Sequence, residues 1–136
     1  MRRFVYLIFA SLFIACQSSD SVDTNKELTG TWKLISYCKS TGTSACTQTT
    51  VPSDKGVFIS FSKKNEFNEY YQNTRPIDYS FLGCGGGSYA VEGSQVRIRA
   101  VCMSSSNGQL IDLTSLSPTR LVLNPSGRGE YLFEKQ

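Results

Sequence analysis

The 136-residue chain contains no histidine. That absence removes the side chain most often used as a general base and the commonest metal ligand. Ser/His/Asp and Cys/His catalysis are excluded with it. Charge is also scarce: 14 basic residues stand against 11 acidic ones, with no cluster larger than Lys63-Lys64 or the pair Arg97 and Arg99. A nucleic-acid or anionic-lipid surface needs clustered Lys and Arg, so neither partner is expected. No long stretch has helical periodicity, and no two cysteines have Cys-x-x-Cys spacing. Long apolar runs are missing too, except for one at the start of the chain.

That run, Phe4 to Ala15, follows Arg2 and Arg3 and ends at Cys16. It has the length of a signal-peptide core and falls short of the ~20 residues that span a bilayer. The segment resembles a bacterial lipoprotein signal peptide over residues 1–15, with Phe13-Ile14-Ala15-Cys16 as its lipobox. The resemblance implies that Cys16 becomes the first mature residue and carries fatty acyl chains of the palmitate kind. One chain binds a membrane marginally, whereas two or three anchor it stably. Gln17 rather than Asp after the anchor implies the outer membrane, on its periplasmic or surface face. The polar segment up to Glu27 reads as a flexible tether over 16–27, which leaves 28–136 as one folding unit.

Four cysteines remain: Cys38, Cys46, Cys84 and Cys102. In an exported chain an even number is read first as disulfides, with a thiolate metal site as the competing reading. Strand signals run through the same region. Thr31–Cys38, Gly56–Ser62, Glu66–Gln72, Asp78–Leu82, Ser88–Glu92, Gln95–Met103, Gln109–Leu116, Arg120–Asn124 and Gly129–Glu134 are short segments rich in aromatic and β-branched residues. Turn residues separate them. Lys39 to Lys55 reads as the one long irregular connection. Consecutive short strands with tight turns predict an all-β antiparallel meander, and about eight strands close into an up-and-down β-barrel.

One hairpin fixes a register. A two-residue loop at Gly93-Ser94 pairs Glu92 with Gln95, Val91 with Val96 and Tyr89 with Ile98. Arg97 and Arg99 then point outward. The same register brings Cys102 opposite Gly85, one residue from Cys84, and Gly85-Gly86-Gly87 can hold a bulge that absorbs the offset. Cys84 is therefore expected to pair with Cys102, and Cys38 with Cys46. Chain entropy assigns these loops roughly 3.2 and 2.6 kcal/mol. Entropy alone favours a longer Cys38 to Cys102 loop, so the hairpin geometry makes the choice.

Leu28-Thr29-Gly30-Thr31-Trp32 places Gly-x-Trp at the first strand, and Leu116 to Lys135 reads as two closing strands. Together with Gly56–Ser62 and the Gly93 hairpin, these segments resemble the lipocalin-like domain of small bacterial lipoproteins over Leu28 to Lys135. The resemblance implies that Gly30 permits the turn into the barrel and that Trp32 plugs its closed end. It also implies a basic side chain over that tryptophan, with Arg120, Arg128 and Lys135 as candidates.

The expected function is noncatalytic, with no cofactor. The first reading is an envelope lipoprotein that binds a small hydrophobic ligand inside the barrel, lined by Phe61, Tyr70, Tyr79, Phe81, Tyr89, Ile98 and Phe133. The alternative is a barrel filled by those same side chains, which contacts another envelope protein through its loops. Glu66, Glu69 and Asp78 are the nearest approach to a carboxylate pair. Glu66 and Glu69 fall on opposite strand faces and read as solvated, so no catalytic residue is assigned.

Overall fold

The computed structural model describes residues 23–40, 46–125 and 129–136. Cys16, the signal-like segment and Arg128 lie outside them. One turn of helix, α1 (Thr24–Leu28), precedes nine strands: β1 (Gly30–Ser40), β2 (Cys46–Thr50), β3 (Gly56–Phe61), β4 (Glu66–Gln72), β5 (Gly87–Glu92), β6 (Gln95–Ala100), β7 (Gln109–Leu116), β8 (Arg120–Asn124) and β9 (Tyr131–Lys135). Strands β1 and β3 to β9 pair in chain order, and β9 returns to β1. The chain is thus an eight-stranded antiparallel up-and-down barrel, and β2 is a ninth strand attached to the far half of β1.

Alternation builds the core. Val57, Ile59 and Phe61 of β3 face inward, as do Val96 and Ile98 of β6, Leu121 and Leu123 of β8, and Tyr131 and Phe133 of β9. In β1 the pairing with β9 slips at Ile35. This bulge lets Trp32, Leu34 and Tyr37 all face inward although their spacing breaks strict alternation. The hairpin register is the one that the two-residue turn dictates, with Glu92 opposite Gln95 and Tyr89 opposite Ile98. Arg97 lies outside, paired with Glu92 through two hydrogen bonds of 2.6 and 2.9 Å.

Four segments differ from expectation. Residues 78–82 form no strand: Asp78 N–H and Tyr79 N–H both donate to Arg75 O, closing a turn that the Arg75–Asp78 ion pair braces. The supposed irregular connection instead contains β2, whose Thr47, Thr49 and Thr50 are β-branched and pair in continuous register with β1. Strand β6 ends at Ala100, where Met103 N–H bonds back to Ala100 O. Thr24 to Glu27, the end of the expected tether, enters α1, whose Leu28 is fully buried.

Candidate functional site

The two ends of the barrel are built differently. By antiparallel alternation, α1 and the turns after β3, β5 and β7 share one end, and the loops after β1, β4, β6 and β8 share the other.

The α1 end is closed by Trp32, which is fully buried and donates its indole N–H to Leu28 O at 2.8 Å. Lys135 lies opposite it on β9. Its Nζ sits 4.8 Å from the Trp32 ring centroid and donates to Glu27 O at 3.1 Å. One lysine therefore spans the cation–π contact and an otherwise open carbonyl of α1. Of the three basic candidates, the structure puts Lys135 over the indole, while Arg120 is exposed at the start of β8. Gly30 has φ +139°, and a Cβ there would stand 2.8 Å from Lys135 Cε. Gly30→Ala is expected to cost about 1–3 kcal/mol, mostly in backbone strain. Urea unfolding would measure it, and an unchanged midpoint would contradict this account of the closed end.

The opposite end is held by a carboxylate. Strands β4 and β5 share only the pairs Glu66–Ser88 and Phe67–Gly87, so above Phe67 β4 has no β5 neighbour. The connection 73–86 fills this seam. Glu69, 3 % exposed and facing inward, accepts the backbone N–H groups of Phe81 (2.9 Å), Leu82 (2.9 Å) and Gly83 (3.3 Å). Tyr71 O–H also donates to Glu69. Burial first, and then the bond to Glu69, push the Tyr71 phenol well above its ordinary range. With its backbone held in this way, Phe81 enters the barrel. Its ring meets Tyr131 at 5.2 Å and Phe133 at 5.3 Å, both edge to face. The Cys84–Cys102 disulfide joins the end of this connection to the loop after β6. The other disulfide, Cys38–Cys46, spans β1 and β2.

The seven side chains named as ligand-lining do not share one environment. Phe61, Phe81, Tyr89, Ile98 and Phe133 are buried in the core, and Tyr79 is half-buried against it. Phe61 packs on Phe67 and Tyr89 at 5.6 and 4.9 Å. Tyr70 is corrected to the outer face. The pairing of Phe61 with Phe67 fixes the parity of β4, so Phe67, Glu69 and Tyr71 turn inward and Tyr70 stacks outside on Phe58 at 5.0 Å. Glu69 is corrected from solvated to buried, while Glu66 is exposed.

A cavity large enough for one water would leave its walls partly accessible. Trp32, Leu34, Val57, Ile59, Val96, Ile98, Ile111, Leu121, Leu123 and Phe133, which come from six of the eight barrel strands, are each 0 % exposed. The interior at these positions is packed solid. Among the described residues, a hollow between α1 and the β3–β4 turn, lined by Lys26, Thr29, Lys63 and Tyr89, is open to solvent. Among the described residues no three His, Cys, Asp or Glu side chains converge as metal ligands would.

The site therefore belongs to a small antiparallel meander barrel closed at one end by Gly-x-Trp and a last-strand lysine and plugged at the other from a loop. The chain belongs to the lipocalin-like domain family, which matches residues 28–123. No curated protein matches it in sequence. Among solved structures, an uncharacterized protein from Bacteroides eggerthii DSM 20697 is 19% identical. That alignment covers 80% of this chain and 99% of the other, with a TM-score of 0.58, and supports the fold. A lipocalin-like protein from Bacteroides uniformis ATCC 8492 is 17% identical over 81% of this chain and 99% of its own, with a TM-score of 0.44.

Proposed function

We propose that the protein is a noncatalytic lipoprotein of the bacterial cell envelope, anchored by acyl chains on Cys16, whose filled barrel displays its loop end to another envelope protein. The observation that carries this reading is the seated Phe81. A ligand in the barrel would have to displace a ring that already contacts Tyr131 and Phe133 and sits on a segment whose backbone N–H groups at 81, 82 and 83 all donate to Glu69. The ligand-carrying reading therefore gives way to the display reading.

Placement of the ends supports it. The described chain begins at Asp23 beside the closed end, so an anchor at Cys16 turns the loop end away from the membrane. That end exposes two large apolar side chains, Ile77 and Val101, at 85% and 89%. They lie on the two loops that Cys84–Cys102 ties together. Stapled loops present such side chains at a lower ordering cost than free ones. The outer-membrane assignment comes from Gln17.

Cys16→Ser is expected to move the protein from the membrane to the soluble fraction. Photo-crosslinking in cells from positions 77 and 101 is expected to give a dominant protein adduct. A lipid-free chain in the membrane fraction, or no adduct from either position, would sink the reading.

A further inference from the structure

The hollow between α1 and the β3–β4 turn measures about 340 Å³, within the roughly 300–1,000 Å³ of small-molecule sites. Its walls carry charge of both signs, with Asp23 and Lys26 on the α1 side and Lys63 on the turn. The two lysines stand 37 positions apart, so only the fold brings them together.

None of the three charges is spent elsewhere. The ion pairs among the described residues are Lys55–Asp54, Arg75–Asp78 and Arg97–Glu92. Asp23 holds the N-cap position of α1, yet its carboxylate accepts no backbone N–H there. Two carboxamides, Asn25 and Asn65, line the same hollow, and neither side chain has a hydrogen-bond partner among the described residues. Asn65 is placed by its φ of +61°, which Asn tolerates, and by the bond from its N–H to Ser62 O that closes the turn.

We infer that this hollow receives the phosphoethanolamine headgroup of a lipid in the bilayer that holds the anchor. Lys26 and Lys63 donate to the phosphate oxygens, a charge-assisted contact. Asp23 accepts from the ammonium group, and the carboxamides of Asn25 and Asn65 can donate or accept beside it. A purely anionic headgroup would leave Asp23 facing a like charge, and a quaternary ammonium has no N–H to give it.

Placement supports the same occupant. Asp23 lies seven residues after Cys16, at most about 25 Å of extended chain, so the hollow stays near the headgroup layer. In this respect the inference rests on the proposed anchor. An acyl anchor fixes one point and leaves the barrel free to tilt, whereas a second contact at α1 keeps Ile77 and Val101 turned away from the membrane. Each lysine adds about fivefold at most at a headgroup surface, so the contact is made while the anchor holds lipid close and is lost when detergent disperses the bilayer.

The test places the lipidated chain in nanodiscs of phosphatidylcholine, alone or mixed with phosphatidylethanolamine or phosphatidylglycerol, and follows acylation of each lysine by peptide mass. Phosphatidylethanolamine is expected to slow labelling of Lys26 and Lys63 about fivefold and to leave Lys55, at the opposite end, unchanged. Phosphatidylglycerol, which has no ammonium group, is expected to slow them less. Asp23→Asn should reverse that order, and Lys63→Gln should remove the protection of Lys26. Equal labelling in all discs, stronger protection by phosphatidylglycerol in the unaltered chain, or protection indifferent to Asp23→Asn would each overturn the inference. Intact mass reports lipidation separately. If the chain proves lipid-free, glycerophosphoethanolamine at tens of millimolar must still shift the amide NMR signals of Lys63 and Asn65 more than inorganic phosphate does, so the anchor and the headgroup site fail independently.

Discussion

Glu69→Ala is expected to destabilise the protein by about 3–5 kcal/mol, a large share of the ~5–15 kcal/mol that holds a domain together. The substitution removes no apolar packing to speak of. Its cost lies in the donors left behind: the buried Phe81 N–H and the partly buried Leu82 N–H, Gly83 N–H and Tyr71 hydroxyl all lose their acceptor. Each such group costs about 1–3 kcal/mol when buried unpaired. Glu69→Gln keeps one acceptor oxygen and is expected to lose less. Amide hydrogen exchange adds a local readout, since protection at Phe81, Leu82 and Gly83 should vanish in the alanine variant before global unfolding. Equal stability of wild type and Glu69→Ala would show that the carboxylate does not hold the connection.

The same clamp has an alkaline limit. The Tyr71 phenol is raised above its unfolded value near 10, so the neutral form is favoured in the fold. Its contribution is fully present below about pH 10 and falls as pH rises from there toward the folded value. Tyr71→Phe should flatten that alkaline decline.

Phe81→Ala is expected to cost about 3–5 kcal/mol and to leave a cavity between Tyr131 and Phe133. An apolar void of that kind stays dry and takes small aromatic molecules. Benzene should therefore raise the melting temperature of Phe81→Ala, because a ligand that binds only the folded state stabilises it by mass action. The wild-type protein should not respond. A wild-type response as large as that of the variant would mean that the barrel already holds an accessible cavity, and the filled-barrel account would fail.

What could be read from the sequence followed local rules. The Gly93-Ser94 turn fixes its own hairpin, and from that register the proximity of Cys84 to Cys102 follows. Gly30 and Trp32 mark the start of β1 because one needs a positive φ and the other has no competitor for the largest core position. Glu69 was not readable as buried, since its donors lie 12 to 14 residues away in a segment that looked like a strand. The alternation Phe67-x-Glu69-x-Tyr71 carries the signal, but only for a reader willing to bury a carboxylate. Tyr70 was misplaced for the same reason, because keeping Glu69 in solvent turns its neighbour inward. β2 was hidden by its composition. Thr and Ser serve loops and edge strands alike, and only the pairing partner on β1 separates the two.

Native mass spectrometry of the full chain, extracted from the envelope and released from detergent in the instrument, tests the central claim most directly. The account predicts the mass of the polypeptide from Cys16 plus its covalent acyl chains and two disulfides, with no further species lost on collisional activation. A noncovalent small molecule that leaves the folded barrel on activation, or a chain that retains residues 1–15 without lipid, would contradict it.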